Sequence, residues 1–176
     1  MNKPSPLKRN ENLVLLSRDH HDGLLTVWKV RQGLGNGTPE GVIATFILHQ
    51  YSNHLEPHFI EEERWLFPAL NGTDELRIKA EQQHEGIRKM IKEIGNTVDD
   101  KSIPTDVLKV HVEKFASLLD EHIRFEERIL FPHIEQSLSD EKLKNVGLHL
   151  SIDHNEKKSQ PWPDEFWIKQ PRIISG

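Results

Sequence analysis

Cysteine is absent from the chain, which excludes disulfides and thiolate-held zinc or iron–sulfur clusters. A basic excess is missing too. The 23 lysines and arginines are outnumbered by 28 acidic residues, the net charge is −5, and no basic run stands out, so no nucleic-acid partner is expected. No stretch approaches the ~18 consecutive apolar residues of a membrane span, and mean hydropathy is −0.62, so no membrane partner is expected either. The opening residues, MNKPSPLKRNEN, lack the apolar core of a secretory leader; the expectation is a cytoplasmic protein. Convincing strand patterns are lacking as well. What is abundant is histidine, eleven in 176 residues.

The histidines follow a repeat. His58 to Pro68 reads HFIEEERWLFP, and His122 to Pro132, 64 residues later, reads HIRFEERILFP. A shorter echo links His21-Asp22-Gly23-Leu24 to His84-Glu85-Gly86-Ile87, 63 residues on. The chain therefore reads as two copies of one unit, each with a lone His and then a His and Glu four residues apart. On a helix, positions i and i+4 share a face, so His58 and Glu62 aim at one point, as do His122 and Glu126. Imidazole suits iron, zinc, copper and nickel, and a carboxylate can bridge two ions. Four nitrogens and two carboxylates are enough for two metals and too many for one closed tetrahedral zinc.

Apolar periodicity predicts four long helices. The first runs from Glu11 to about Gln32 on Leu13, Leu16, Leu24, Val27, Trp28 and Val30, with a flexible Gly33–Pro39 link after it. The second runs from Glu40 to Phe67, with Pro57 expected to kink it beside the site and Pro68 to end it. The third is expected to be capped by Thr73, to carry Leu76, Ile78, Ala80, His84 and Ile87, and to stop at Gly95. The fourth, from Pro104 to Phe131, presents Leu108, Phe115, Leu119, His122, Glu126 and Ile129 inward and ends at Pro132. The fold expected is an all-α, up-and-down antiparallel four-helix bundle with an internal pseudo-twofold repeat. Residues 1–10 read as a disordered start and 11–137 as the bundle. Residues 138–176 read as a short helix capped by Ser139 and a C-terminal tail whose Trp162, Phe166 and Trp167 dock on the bundle or on a partner.

Helix three supplies His84. Helix one offers His20 or His21, and His21 is favoured: it pairs Leu24 with Ile87, Val27 with Met90 and Trp28 with Ile91, whereas His20 sets Gly23 against Ile87. Glu63 and Glu127 read as solvent-facing residues paired with bases such as Arg64 and Arg128. His54 and Tyr51 lie on the inner stripe, fit to hydrogen-bond a ligand or to line a small pocket, and His54 stays open as an added ligand. His111 lies about 16 Å along the helix from His122, too far to coordinate. His49, His133, His149 and His154 read as surface residues.

A His, a His-x-x-x-Glu, a second His and a second His-x-x-x-Glu, with Glu-Glu-x-x-Leu-Phe-Pro in both copies, resembles the hemerythrin-like, HHE cation-binding family over roughly Leu13 to Ile134. The resemblance implies a four-helix bundle around an oxo- or hydroxo-bridged non-haem di-iron centre. Its ligands would be His21, His58, Glu62, His84, His122 and Glu126, with the two glutamates bridging; zinc or manganese are possible substitutes. Oxygen-carrying relatives have five histidines, with His-x-x-x-His on the third helix and His-x-x-x-x-Asp on the fourth. Here Arg88 follows His84, and the acid at the longer spacing is Glu127. Two histidines per iron leave both irons open, which favours sensing, iron handling or peroxide chemistry over reversible carriage of dioxygen. The expected role is binding of dioxygen or a related small oxidant, and not catalysis. One alternative is a ferritin-like di-iron oxidase or peroxidase, for which Glu81-Gln82-Gln83-His84 supplies one motif while Arg18 breaks its repeat. Another is a regulatory module, or a homodimer, read through the aromatic tail.

Overall fold

A computed structural model describes residues 8–100, 102–155 and 161–169, and among them every regular element is a helix. The order is α1 (Val14–Asn36), α2 (Glu40–Gln50), α3 (Glu56–Glu61), α4 (Glu75–Asp99), α5 (Thr105–Phe125), α6 (Phe131–Ser137) and α7 (Asp140–Asn155). Short π-helical turns join some of these end to end: Tyr51–Leu55 between α2 and α3, Glu62–Leu66 after α3, and Glu126–Leu130 between α5 and α6. The second and fourth predicted helices are thus single paths containing widened turns. α5 packs on α1, α2 and α4, and α2 packs on α1 and α4. No helix among the described residues is long and apolar enough to cross a membrane.

Two apolar clusters hold these paths together. One gathers Val27, Ile43, Phe46, Phe59, Ile87 and Phe115; the other gathers Leu13, Leu16, Leu66, Phe67, Phe131 and Leu150. Trp28, Ile78 and Ile129, expected inside, are exposed at 48%, 36% and 48%. Each sits at the margin of its helix's apolar stripe, where periodicity alone cannot decide the facing.

Helix ends differ from the expectations for local reasons. α1 continues through Gly33 to Asn36 and is closed by Gly37 at φ 75°, with the Gly37 and Thr38 amides on the Leu34 and Gly33 carbonyls; Gly33 itself leaves room for the tail, since a Cβ there would lie 2.6 Å from the Phe166 ring. α4 passes Gly95 and reaches Asp99, its last turn tied by Thr97, whose hydroxyl donates to the Glu93 carbonyl. The cap of α4 is Asp74, not Thr73; its Oδ1 accepts from the amides of Leu76 and Arg77. Thr73 instead donates to Asn71 Oδ1.

The prolines are absorbed by the π turns. Pro57 follows the Tyr51–Leu55 turn, which closes with the Glu56 amide on the Tyr51 carbonyl, five residues back. Pro132 does not end its helix, which continues to Ser137. In the i→i+5 register Pro132 has no N–H to offer the Glu127 carbonyl, and Arg9 Nη2 takes that carbonyl at 2.7 Å. Residues 1–7 of the expected disordered start lie outside the described residues, and Arg9 is anchored by ion pairs to Glu127 and Glu135.

α7 runs to Asn155, longer than expected, with Ser139 Oγ accepting from the Lys142 amide. It packs beside the Glu11–Leu13 turn and the Glu62–Leu66 turn. There Trp65 stacks on His149 with centroids 4.0 Å apart and donates to Asp153 at 2.7 Å. The tail's Phe166 is buried, and it meets Phe46 edge-on with Trp162 and Trp167 alongside. Deleting such a ring leaves a cavity. Phe166→Ala is expected to cost roughly 3 kcal/mol in urea unfolding; an unchanged midpoint would mean that the tail adds nothing to the bundle.

Candidate metal centre

Six ionisable side chains converge in the interior: His20, His58, Glu62, His84, His122 and Glu126, each no more than 3% exposed. Five of the six residues expected from sequence are here. The sixth place is taken by His20, and His21 is exposed on the outside of α1. The reason lies beside it. Gly23 leaves room that Ile123 fills, since a Cβ there would be 2.6 Å from Ile123 Cδ1. The Gly23–Ile87 mismatch that disfavoured His20 is therefore a packing complement supplied from α5.

The donor atoms form two overlapping groups that could each hold a cation: His20, His58, Glu62 and Glu126, and Glu62, His84, His122 and Glu126, with the atoms of each group within 4.8 Å of one another. Both glutamates belong to both groups. Glu62 Oε1 faces His58 Nε2 at 3.4 Å and His20 Nε2 at 3.7 Å, while its Oε2 faces His84 Nε2 at 3.3 Å. Glu126 Oε2 lies 3.0 Å from His20 Nε2 and 3.3 Å from His122 Nε2. All four Nε2 atoms and all four carboxylate oxygens are buried without a hydrogen-bond partner. Orphaned buried polar atoms are costly, and eight of them pointing inward together make a donor set that fits metal cations.

Every Nδ1 is engaged on the far side of its ring. His20 Nδ1 pairs with Glu127 Oε1 at 2.7 Å, and His84 Nδ1 with Glu63 Oε1 at 2.7 Å. His58 Nδ1 reaches Asp19 Oδ2 at 3.2 Å, and His122 Nδ1 reaches Gln83 Oε1 at 3.1 Å. Donating from Nδ1 fixes the neutral ring's tautomer, with the Nε2 lone pair aimed into the cluster. Glu63 and Glu127 are therefore not solvent-facing partners of Arg64 and Arg128. They orient His84 and His20, and each carries a guanidinium: Arg88 on Glu63 at 2.7 Å and Arg9 on Glu127 at 2.8 Å. Glu127 also accepts from Ser17. Burial works against both charges, but the histidine and its companions prevail and hold both acids at about 2.

The remaining expectations sort by position. Arg88, four residues after His84, is spent on Glu56 and Glu63. Tyr51 hydrogen-bonds Glu56. His54 and Leu55 line a cavity of about 40 Å³ that reaches Asp19 and His58; His54 belongs to neither cation group. His111 bonds Thr97, and His133 pairs with Asp74. Glu81 of the ferritin-like motif pairs with Arg77, away from the cluster.

Burial lowers the basicity of each cluster histidine, and the acids reverse this for three of them. Glu126 and Glu127 raise His20 to about 10; Glu62 and Asp19 raise His58 to about 9; Glu62 and Glu63 raise His84 to about 9. His122, buried and beside His84, is pushed well below its ordinary value. A histidine raised in the fold stabilises fully below its ordinary 6.5 and loses that contribution as pH rises through the folded value. The metal-free protein should therefore lose thermal stability between about pH 7 and pH 10. Cation binding at neutral pH should release protons, read with a weakly buffered indicator dye. A flat melting profile over that range would contradict the cluster's proton inventory.

The family model described as hemerythrin HHE cation binding domain matches residues 15–134, which spans all six cluster residues. No curated protein and no solved structure matches the chain significantly. With the family match covering most of its length, the chain belongs to the hemerythrin HHE cation-binding domain family.

Proposed function

We propose that this protein is a non-haem di-iron protein that binds dioxygen or a related small oxidant for sensing, storage or iron handling. In this reading the helical paths form an up-and-down antiparallel four-helix bundle over residues 11–137, related in halves by a pseudo-twofold axis, with 138–176 appended. The observation that carries it is the sharing of Glu62 and Glu126 between two cation groups, each completed by two histidines. Glu62 presents a different oxygen to each half, and Glu126 turns Oε2 toward a histidine of each.

Two irons held by His20, His58, Glu62, His84, His122 and Glu126 would supply adjacent redox-active ions for a small molecule. The protein's own residues do the rest. Nδ1 partners hold the four rings in orientation. Phe59 stacks on His84 at 4.0 Å and Phe131 on His20 at 5.2 Å, excluding water from two flanks. The cavity beside Asp19 and His58 has room for about one or two water-sized molecules, and in this reading it is where a small oxidant approaches. Two imidazoles per half, with Arg88 committed elsewhere, leave neither half closed, which disfavours a carrier that must keep one iron saturated.

A ferritin-like oxidase finds less support, because Glu81 lies outside the cluster. A regulatory role read through the tail is weakened as well, since Phe166 is buried against Gly33 and Phe46.

Protein reconstituted anaerobically with ferrous iron should bind two irons per chain and develop a near-ultraviolet band when oxygen is admitted. His20→Ala should lose at least one iron, Glu62→Ala both, and His21→Ala neither. Two zincs and no iron from iron-replete cells, or full occupancy in His20→Ala, would overturn the proposal.

A further inference from the structure

The two halves of the cluster have the same donors but not the same backing. Contacts recur 64 residues apart: His20 with Glu127 mirrors His84 with Glu63, and the two distances are both 2.7 Å. Each of these glutamates also carries one arginine within 2.8 Å, so that pair is balanced in charge. The other pair is not. His58 Nδ1 donates to a carboxylate, Asp19 Oδ2, at 3.2 Å; His122 Nδ1, in the matching place, donates to an amide oxygen, Gln83 Oε1, at 3.1 Å. Residues 19 and 83 stand at the same step of the repeat, immediately before His20 and His84. Geometry is shared between them, while a carboxylate, with His154 Nδ1 3.9 Å from the same oxygen, stands at one place and an uncharged amide at the other.

A carboxylate behind an imidazole both orients it and raises the electron density at the opposite nitrogen, whereas an amide only orients it. The carboxylate's charge also acts directly on a cation across the ring, in a site where little water screens it. The surroundings lean the same way. The cavity reaching His58 is lined by Asp19, Asp22 and His54; the matching positions, Gln83, Gly86 and Leu118, are uncharged and line a separate surface pocket in which Glu121 stands with Lys79.

Resting on the dinuclear reading above, we propose that the two cation positions are unequal. The His20–His58 half binds its ion first and more tightly, and Asp19 is the positioning residue that makes the difference. His84 and His122 bind the second ion.

The test is a titration of the metal-free full-length protein with Zn(II). It is followed by imidazole ¹H–¹⁵N signals and by competition with a chromophoric chelator. At one equivalent the signals of His20 and His58 should shift while those of His84 and His122 stay. The two steps should differ about 10- to 100-fold in affinity. Asp19→Asn should weaken the first step by about tenfold or more, and Gln83→Glu should strengthen the second. The double exchange Asp19→Gln with Gln83→Glu keeps the net charge and the number of supporting groups, and it should reverse the order so that His84 and His122 shift first. Two equivalents bound with all four histidines shifting together, or an order that the exchange leaves unchanged, overturns the inequality while leaving the dinuclear site intact. Saturation at one equivalent or fewer overturns the dinuclear reading itself, and the inequality with it.

Discussion

Placing two carboxylates and four imidazoles together out of water is the constraint that the rest of this molecule answers to. Each buried charge costs several kcal/mol unless something opposite in sign lies against it. Here the six groups compensate one another: Glu62 is held well below its ordinary value among the histidines, while burial and the nearness of Glu62 push Glu126 up. Such an arrangement tolerates little displacement. Its supports come from several parts of the chain: Arg9 and Ser17 reach Glu127, Arg88 reaches Glu63, and Phe59, Phe67 and Phe131 wall the rings. Both apolar clusters contribute walls, so the polar site and the hydrophobic packing cannot be assembled independently.

Much of this was legible from residue spacing. His58 with Glu62 and His122 with Glu126 follow from one helical turn plus a 64-residue repeat, and His84 had no rival on its helix. Helix one was misread because two periods were in play. The longer motif repeats at 64, and stepping back 64 from His84 lands on His20; the shorter echo repeats at 63 and lands on His21. Apolar matching favours His21 partly through Trp28, set against Ile91, and Trp28 is exposed. Gly23 looked like a defect because the side chain that completes it, Ile123, belongs to a distant helix.

The roles of Glu63 and Glu127 were hidden for a different reason. A regular helix turns about 100° per residue, which would carry the residue after a ligand away from the site. Both glutamates sit inside π turns that begin at the cluster residues Glu62 and Glu126. These turns close five residues on, through the amides of Phe67 and Phe131, and rotate each residue less. Neighbouring side chains can then serve the same centre, one facing it and one behind a histidine from another helix. Nothing in local propensity announces a π turn, although a repeated Glu-Glu followed by Leu-Phe-Pro in both halves was the available hint.

Those widened turns make each helix a vernier. An extra residue is stored in the span between each cluster glutamate and the proline after it, so chain length and side-chain facing are decoupled there. Removing one residue from the Glu126–Leu130 segment would restore ordinary winding and leave the helix beyond it nearly in phase, because the five-residue turn and the ordinary one cover nearly the same rotation. What would be lost lies inside the turn, where Glu126 and Glu127 could no longer face the cluster and the back of His20 at once. The phase of the helix inside that turn, and not only the identity of its residues, is what this fold has to keep.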